Sequence, residues 1–330
     1  MRFLASLAAV GILFLVGLFG ATGSVAAAIF GVLVPYLAAA VFLGGLSWRV
    51  LKWARAPVPF RIPTTCGQQR SLAWIRPAKL DNPSGMLGVL GRMALEILFF
   101  RSLLRNTKAT RLGGGNLLFR TSLGLWLAAL AFHWSLLAVL VRHLRFFTNP
   151  VPRAVTLLAA ADGFLEVGLP VFYLSSCVLL AALAYLLARR LAGPQLRYIS
   201  LPDDYFLPLA LLGIGVSGFC ARHVVGTDLA AVKELTLGLA GFRPPLPTTV
   251  GPLFFGHFFL ACVLLAYLPF SKVMHLAGAL LSPTRNLANN SRRVRHVNPW
   301  DYPVKVHSYG EYEDELRGKM KEAGIPVERQ

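Results

Sequence analysis

The chain has 330 residues, 55% of them hydrophobic and only 15% charged, with a formal net charge of +18. Its apolar residues are gathered in long uninterrupted runs, which excludes a water-soluble globular protein and lacks the alternation of membrane barrel strands. The positive charge is concentrated in one loop beside those runs, so it points to anionic lipid or a docked subunit and not to nucleic acid.

Six runs are long enough to cross a bilayer as helices, at about 3–20, 24–48, 121–144, 169–188, 205–221 and 251–281. The expected fold is an all-α membrane protein, a six-transmembrane-helix bundle. The first run also reads as a signal peptide, since Arg2 precedes it and small residues follow at 21–28. It exceeds the usual apolar core of about 7–15 residues, which favours a retained helix. "GATGS" (20–24) then joins the first two helices as a tight hairpin, making residues 1–50 an N-terminal unit.

Residues 51–120 form a basic loop. From Arg49 to Arg120 there are thirteen Lys and Arg against Asp81 and Glu96. The positive-inside rule makes this loop cytoplasmic. The connection with Arg189, Arg190 and Arg197, the tail after Leu281 and both termini then lie inside, while 145–168 and 222–250 lie outside. The location is the cytoplasmic (inner) membrane, crossed several times. Within the loop, "PSGMLGVLGRMALEILFFRSLLR" (83–105) has a helix start signal and an apolar face broken by Arg92, Glu96, Arg101 and Arg105. It is expected to lie as an amphipathic helix on the inner leaflet, with a solvated basic face as the alternative. Cys66 is a reduced thiol on this topology. With no second cysteine nearby, packing is a simpler role for it than redox chemistry.

The third run, "FHWSLLAVLVRHLRFF" at 132–147, carries His133 and His143, and the sixth carries His257 and His275. An imidazole in hydrocarbon is costly unless something binds it. The two helices run in opposite directions, so His143 matches His257 in depth and His133 matches His275. A spacing of 18 is about five helical turns, and a spacing of 10 leaves two side chains ~80° apart, so both helices can aim both histidines at one partner. The rises differ, ~15 Å against ~27 Å, and tilt or a kink at Pro269 has to absorb the difference.

Zinc asks for four ligands, or three and a water. Histidines facing in pairs, with no carboxylate on either helix, suit iron porphyrins held from both sides in the apolar bundle. Two b haems are expected, bis-histidine and non-covalent. No C-x-x-C-H attachment motif is present, and the cysteines at 66, 177, 220 and 262 are scattered. A single membrane histidine is more often a helix-helix hydrogen bonder. His223, His296 and His307 take interfacial or solvated roles by default. The four-helix dihaem core then spans 121–281, and the polar tail is 282–330, with nine Lys and Arg against seven acids. Its "GEYEDELRGKMKEAG" (310–324) reads as a short charged helix, suited either to docking on a soluble subunit or to partial disorder.

His-x9-His on one helix, followed by His-x17-His ending in "YLPFSKVMH" (267–275), resembles the gamma, cytochrome b subunit of respiratory nitrate reductases. "PTTCGQQRSLAWI" (63–75), "RSLLRNT" (101–107) and "SPTRNLANN" (282–290) resemble the DsrM family, membrane cytochromes of the complex associated with dissimilatory sulfite reduction. The resemblance covers about residues 60–300. It implies that His133, His143, His257 and His275 ligate two b haems and that the chain exchanges electrons with menaquinone. It also implies a cytoplasmic iron-sulfur partner of the heterodisulfide reductase type, with further membrane and periplasmic subunits including a cytochrome c. The nitrate reductase subunit has five helices and this chain six, so the resemblance assigns the extra N-terminal span no role.

A quinone needs an apolar slot and one or two hydrogen-bonding groups. Beside the outer haem the candidates are Arg142, His223, Asp228 and Lys233, each of which is otherwise an ordinary headgroup or loop residue. Two other classes compete. A transporter with a histidine proton relay would show related halves and matching broken helices, which are not found. A structural anchor for a soluble enzyme would not need paired histidines.

Overall fold

The computed structural model describes residues 1–56, 67–105, 107–111, 117–163, 171–245, 250–292, 303 and 305–328. Cys66 and His296 lie outside them. Six helices are long and apolar enough to cross a membrane: Arg2–Gly20, Ser24–Ala54, Leu123–Phe146, Leu174–Ala192, Pro202–Val225 and Pro252–Phe270, referred to as the first to sixth spans. Large apolar side chains such as Leu4, Ile12, Phe19, Leu37 and Leu137 stand exposed along them. Only a hydrocarbon solvent accommodates a surface of this kind, and intrahelical bonding leaves no backbone group unsatisfied there. The chain is a multi-pass membrane protein.

The third span packs on the fourth, the fourth on the fifth and the fifth on the sixth. The third span carries His133 and His143, the sixth carries His257, and His275 begins a short helix beyond the sixth; the third and sixth spans share no extended packing with each other, so the arc of four helices is open between them. Around its other side the first span packs on the fifth and sixth, and the second span packs on the sixth. The turn at 21–23 is tight, with Gly23 at φ 86°, a conformation that suits glycine. Beyond that turn the first and second spans take different neighbours. Those two helices share no extended packing, because the sixth span has small residues where the first needs to approach. A Cβ on Gly17 would lie 2.7 Å from Phe259 Cβ, and one on Gly256 would lie 2.7 Å from Phe14. Close approach through glycine is how membrane helices gain contact when no hydrophobic force separates helix from lipid.

Several boundaries differ from those expected. The second span continues to Ala54 through a π-helical turn at Ile29–Leu33. The fourth begins at Leu174 and not 169, because Tyr173 is extended. The sixth is not one helix to 281. It tightens into a 3-10 turn at Leu268–Phe270, breaks at Ser271 with ψ 174°, and restarts through Lys272–Met274 into His275–Leu281. Pro269, lacking an N–H, begins that break.

At the end where the second span finishes and the third begins, the loop and tail form one layer. The expected amphipathic helix is Met86–Phe99, stopped by Phe100 in the left-handed conformation (φ 49°) and followed by Arg101–Arg105. Trp126 and Trp134 of the third span donate their indole N–H groups to Phe99 O (2.7 Å) and Leu98 O (3.0 Å), pinning the helix end to the bundle. Arg92, only 4% exposed, donates to the carbonyls of Arg285 and Leu287. Asn289 N–H donates to Pro83 O (2.7 Å), and Gln69 Nε2 to Ser291 Oγ (3.0 Å). Segments far apart in sequence thus close on one another. Arg101 and Arg105 both bond Asp81, and the Arg101 guanidinium holds that carboxyl below the usual carboxylate range.

A two-stranded antiparallel ribbon, Thr107–Arg111 with Leu117–Thr121, leads from this layer into the third span. The all-α expectation is corrected to that extent: the segment is too short and too polar to bury a helical face, and pairs its backbone with itself instead. The tail helix runs Tyr309–Glu322, started by a capping box between Ser308 and Glu311.

Two outcomes test this architecture. Gly17→Leu forces the first span off the sixth and should lower the melting temperature of the detergent-solubilised protein by several degrees, whereas Gly11→Leu, where a side chain meets nothing within 4 Å, should not. For orientation, a cysteine replacing Lys305 should escape an impermeant thiol reagent in intact cells, and one replacing Arg243 should be labelled. The opposite pattern would invert the bundle.

Candidate functional site

Each of the four histidines has its Nδ1 against a main-chain carbonyl. The partners are Ala129 O for His133 (2.7 Å), Val139 O for His143 (2.7 Å), Ile214 O for His257 (2.9 Å) and Lys272 O for His275 (3.1 Å). A carbonyl oxygen only accepts, so Nδ1 is the protonated nitrogen in all four rings, and Nε2 is left with a bare lone pair. This is how a metal-ligating histidine is oriented by its surroundings. For His133 and His143 the acceptor is the carbonyl four residues back, which a helix offers without extra machinery. His257 bonds across to the fifth span, with Ser217 Oγ also 3.2 Å from its Nδ1.

The break in the sixth span brings His275 to His133, with ring centroids 6.1 Å apart and planes at 77°. Two metal–imidazole bonds of about 2 Å each, added to the half-widths of two rings, separate centroids by roughly 6 Å when one ion lies between. The pair therefore fits a single iron. Phe100 and Phe132 stand edge-on to His133, each at 4.8 Å. Phe100 comes from the amphipathic helix's end, so the layer itself walls this pair.

At the other end, His257 lies within electrostatic range of His143. His143 sits deep among protein atoms yet keeps accessible surface, as a ring bordering the open side of the arc does. Gly218 makes room for the His257 ring, since a Cβ there would lie 2.9 Å from its Cε1. Among the described residues no three His, Cys, Asp or Glu side chains gather to hold a metal ion, so the pairs do not extend into zinc-type sites.

The four quinone-site candidates have different surroundings. Arg142, 6% exposed, pairs with Asp162 (2.8 Å), donates to Ser175 Oγ (2.9 Å) and Ser176 Oγ (3.0 Å), and lies 3.8 Å from the Tyr173 ring centroid. Asp228 caps the helix Leu229–Ala240 by accepting from the N–H groups of Ala230 and Ala231. Both amides bond the same carboxylate oxygen, Oδ1. His223 stacks on Phe172 at 4.2 Å with planes 8° apart. Lys233 alone lines an apolar recess of about 290 Å³, with Arg145, Phe146, Val151, Leu229 and Ala230. Phe146 also contacts the His143 ring, at 5.9 Å.

Sequence reasoning missed Ser217, Gly218, Phe100, Tyr173 and Asp162. The small residues of "GIGVSGFC" (213–220) signal close approach to the fifth span but not by what, and Asp162 in "AAADGF" is an unremarked loop acid until Arg142 meets it.

Residues 116–296 match the family described as nitrate reductase gamma subunit. Two curated relatives carry the name "Hdr-like menaquinol oxidoreductase cytochrome b-like subunit". The one from Archaeoglobus fulgidus is 45% identical over 280 residues, 83% of each chain. The one from Archaeoglobus profundus is 43% identical over 275 residues, 81% of each chain.

Proposed function

The chain belongs to the nitrate reductase gamma subunit family, and from that membership and the facing histidines we propose that it is a dihaem b subunit carrying electrons between menaquinol and a soluble iron-sulfur protein of the heterodisulfide reductase type, in the respiration of sulfur compounds. The observation that carries the reading is the 6.1 Å separation of the His133 and His275 rings, with both Nδ1 atoms engaged by carbonyls. His143 and His257 would hold the second haem in the same way. A haem iron ligated by two histidines supplies one-electron transfer and has no open position for oxygen. What the protein adds is orientation through the Nδ1 bonds, an apolar surround, and two sites at different depths.

The names of the Archaeoglobus relatives support menaquinol as the electron donor. The recess beside Phe146 is the quinol site in this reading: apolar walls for the ring, with Lys233 to bond a carbonyl oxygen. It lies at the His143 end, which the charge distribution places outside. The partner would dock at the opposite end, on the layer that walls His133. Arg101 and Arg105 are occupied by Asp81, so the exposed basic side chains there, Arg70, Arg76, Lys79 and Arg292, are the docking cations. DsrM-type membership would follow from the motifs of that layer, "RSLLRNT" and "SPTRNLANN", which the structure packs against one another's neighbours through Arg92 and Glu96.

Reduced-minus-oxidised spectra of the purified chain should show two b haems. His275→Ala should lose one and His257→Ala the other; loss of the same haem from both variants would break the assignment of pairs. Arg70→Glu combined with Arg76→Glu should slow reoxidation by the soluble partner severalfold, most at low salt, and leave the spectrum unchanged. A normal rate would move the docking surface to the tail helix.

A further inference from the structure

We propose that Arg142, Arg145 and Arg222 form a carboxylate-binding cluster, built around Tyr173, that seats the two propionates of the porphyrin held by His143 and His257. The proposal rests on the haem reading above. The Arg142 guanidinium lies 3.8 Å from the Tyr173 ring centroid and that of Arg222 4.8 Å, while Arg145 Nη1 is 3.5 Å from the Tyr173 hydroxyl. Three cations therefore surround one aromatic ring at the end of a membrane bundle. Arginine does not shed its proton, so burial cannot neutralise them.

Asp162 balances one of the three. It pairs with Arg142 (2.8 Å) and is itself fixed by Ser175, whose N–H and Oγ both donate to it, at 2.7 and 2.6 Å. Among the described residues no second carboxylate joins the cluster, and among them two positive charges stand in excess. Arg222 also has a buried Nε with no hydrogen-bond partner. A neutral quinone headgroup does not answer a double charge. A porphyrin with two propionates does, and guanidinium recognises carboxylate through paired N–H donors.

The placement agrees with the chemistry. Arg142 and Arg145 flank His143 and lie within electrostatic range of it. Arg222 is one turn beyond Gly218, the glycine that accommodates the His257 ring. It sits in a π-helical turn, Ala221–Val225, which rotates the chain at the end of the fifth span; such turns cluster at functional sites. A porphyrin between these two histidines would thus have its polar edge toward the bundle end and its apolar edge toward the bundle centre.

The test compares iron protoporphyrin with its dimethyl ester, in which both carboxylates are capped. Membranes from haem-deficient cells carrying the His275→Ala chain, where only the His143 and His257 pair remains, are titrated with each. The acid should bind at least tenfold more tightly than the ester. Arg145→Gln with Arg222→Gln should abolish that preference and lower the midpoint potential of the bound haem, while Arg222→Lys, which keeps the charge, should retain most of it. Equal binding of acid and ester by the chain with its arginines intact would overturn the cluster's role, and this arm needs no arginine variant to fold. A lipid phosphate on the same arginines would give that equal binding. Failure of the chain with all four histidines to bind either porphyrin would instead overturn the haem reading itself.

Discussion

An imidazole among apolar helices has two nitrogens to satisfy, and in all four of these histidines a main-chain carbonyl takes one of them. That single hydrogen bond determines the tautomer, holds the ring in place and leaves the Nε2 lone pair unused. Left unfilled, four bare nitrogens in a membrane protein would each forfeit a hydrogen bond that water otherwise supplies. The proposed haems would answer that demand in pairs.

The helical arc is open on one side. The third span is held by the fourth and the sixth by the fifth, so the histidine-bearing helices are positioned by neighbours and not by each other. The two N-terminal spans brace the sixth from behind, through glycine contacts that bring backbones close. The second span also packs on the break itself, where a Cβ on Gly45 would lie 2.8 Å from Pro269. That break lets a helix with histidines 18 residues apart meet one with histidines 10 apart.

The two ends of the bundle differ in how they handle charge. One end gathers arginines around Tyr173 beyond the His143 pair, with one aspartate among them. The other spends many of its cations on holding the layer together: buried Arg92 on two carbonyls, and the more exposed Arg101 and Arg105 on Asp81 and Lys272 and Arg190 on Asp204. Electrostatic docking of a partner therefore falls to the cations that this internal bonding leaves exposed. Asp228, Arg142 and Arg101 show how a carboxylate or guanidinium commits to the donors and acceptors that folding brings to it.

The sequence by itself determined that the chain has six helices long and apolar enough to cross a membrane, and that four histidines fall two by two in two distant apolar runs. These follow from local properties, namely run length and composition. The tail helix and the amphipathic helix were legible for the same reason, through a run of charged residues in one and an apolar face in the other. Only the tertiary structure decided the break after Pro269, the splaying of the first two spans around the sixth, the paired strands at 107–121, and the meeting of Arg142 with Asp162 and Tyr173. Each of these depends on what a segment packs against. A glycine or an arginine carries no record in its own neighbourhood of the distant residue whose approach, across a low-dielectric interior, fixes its role.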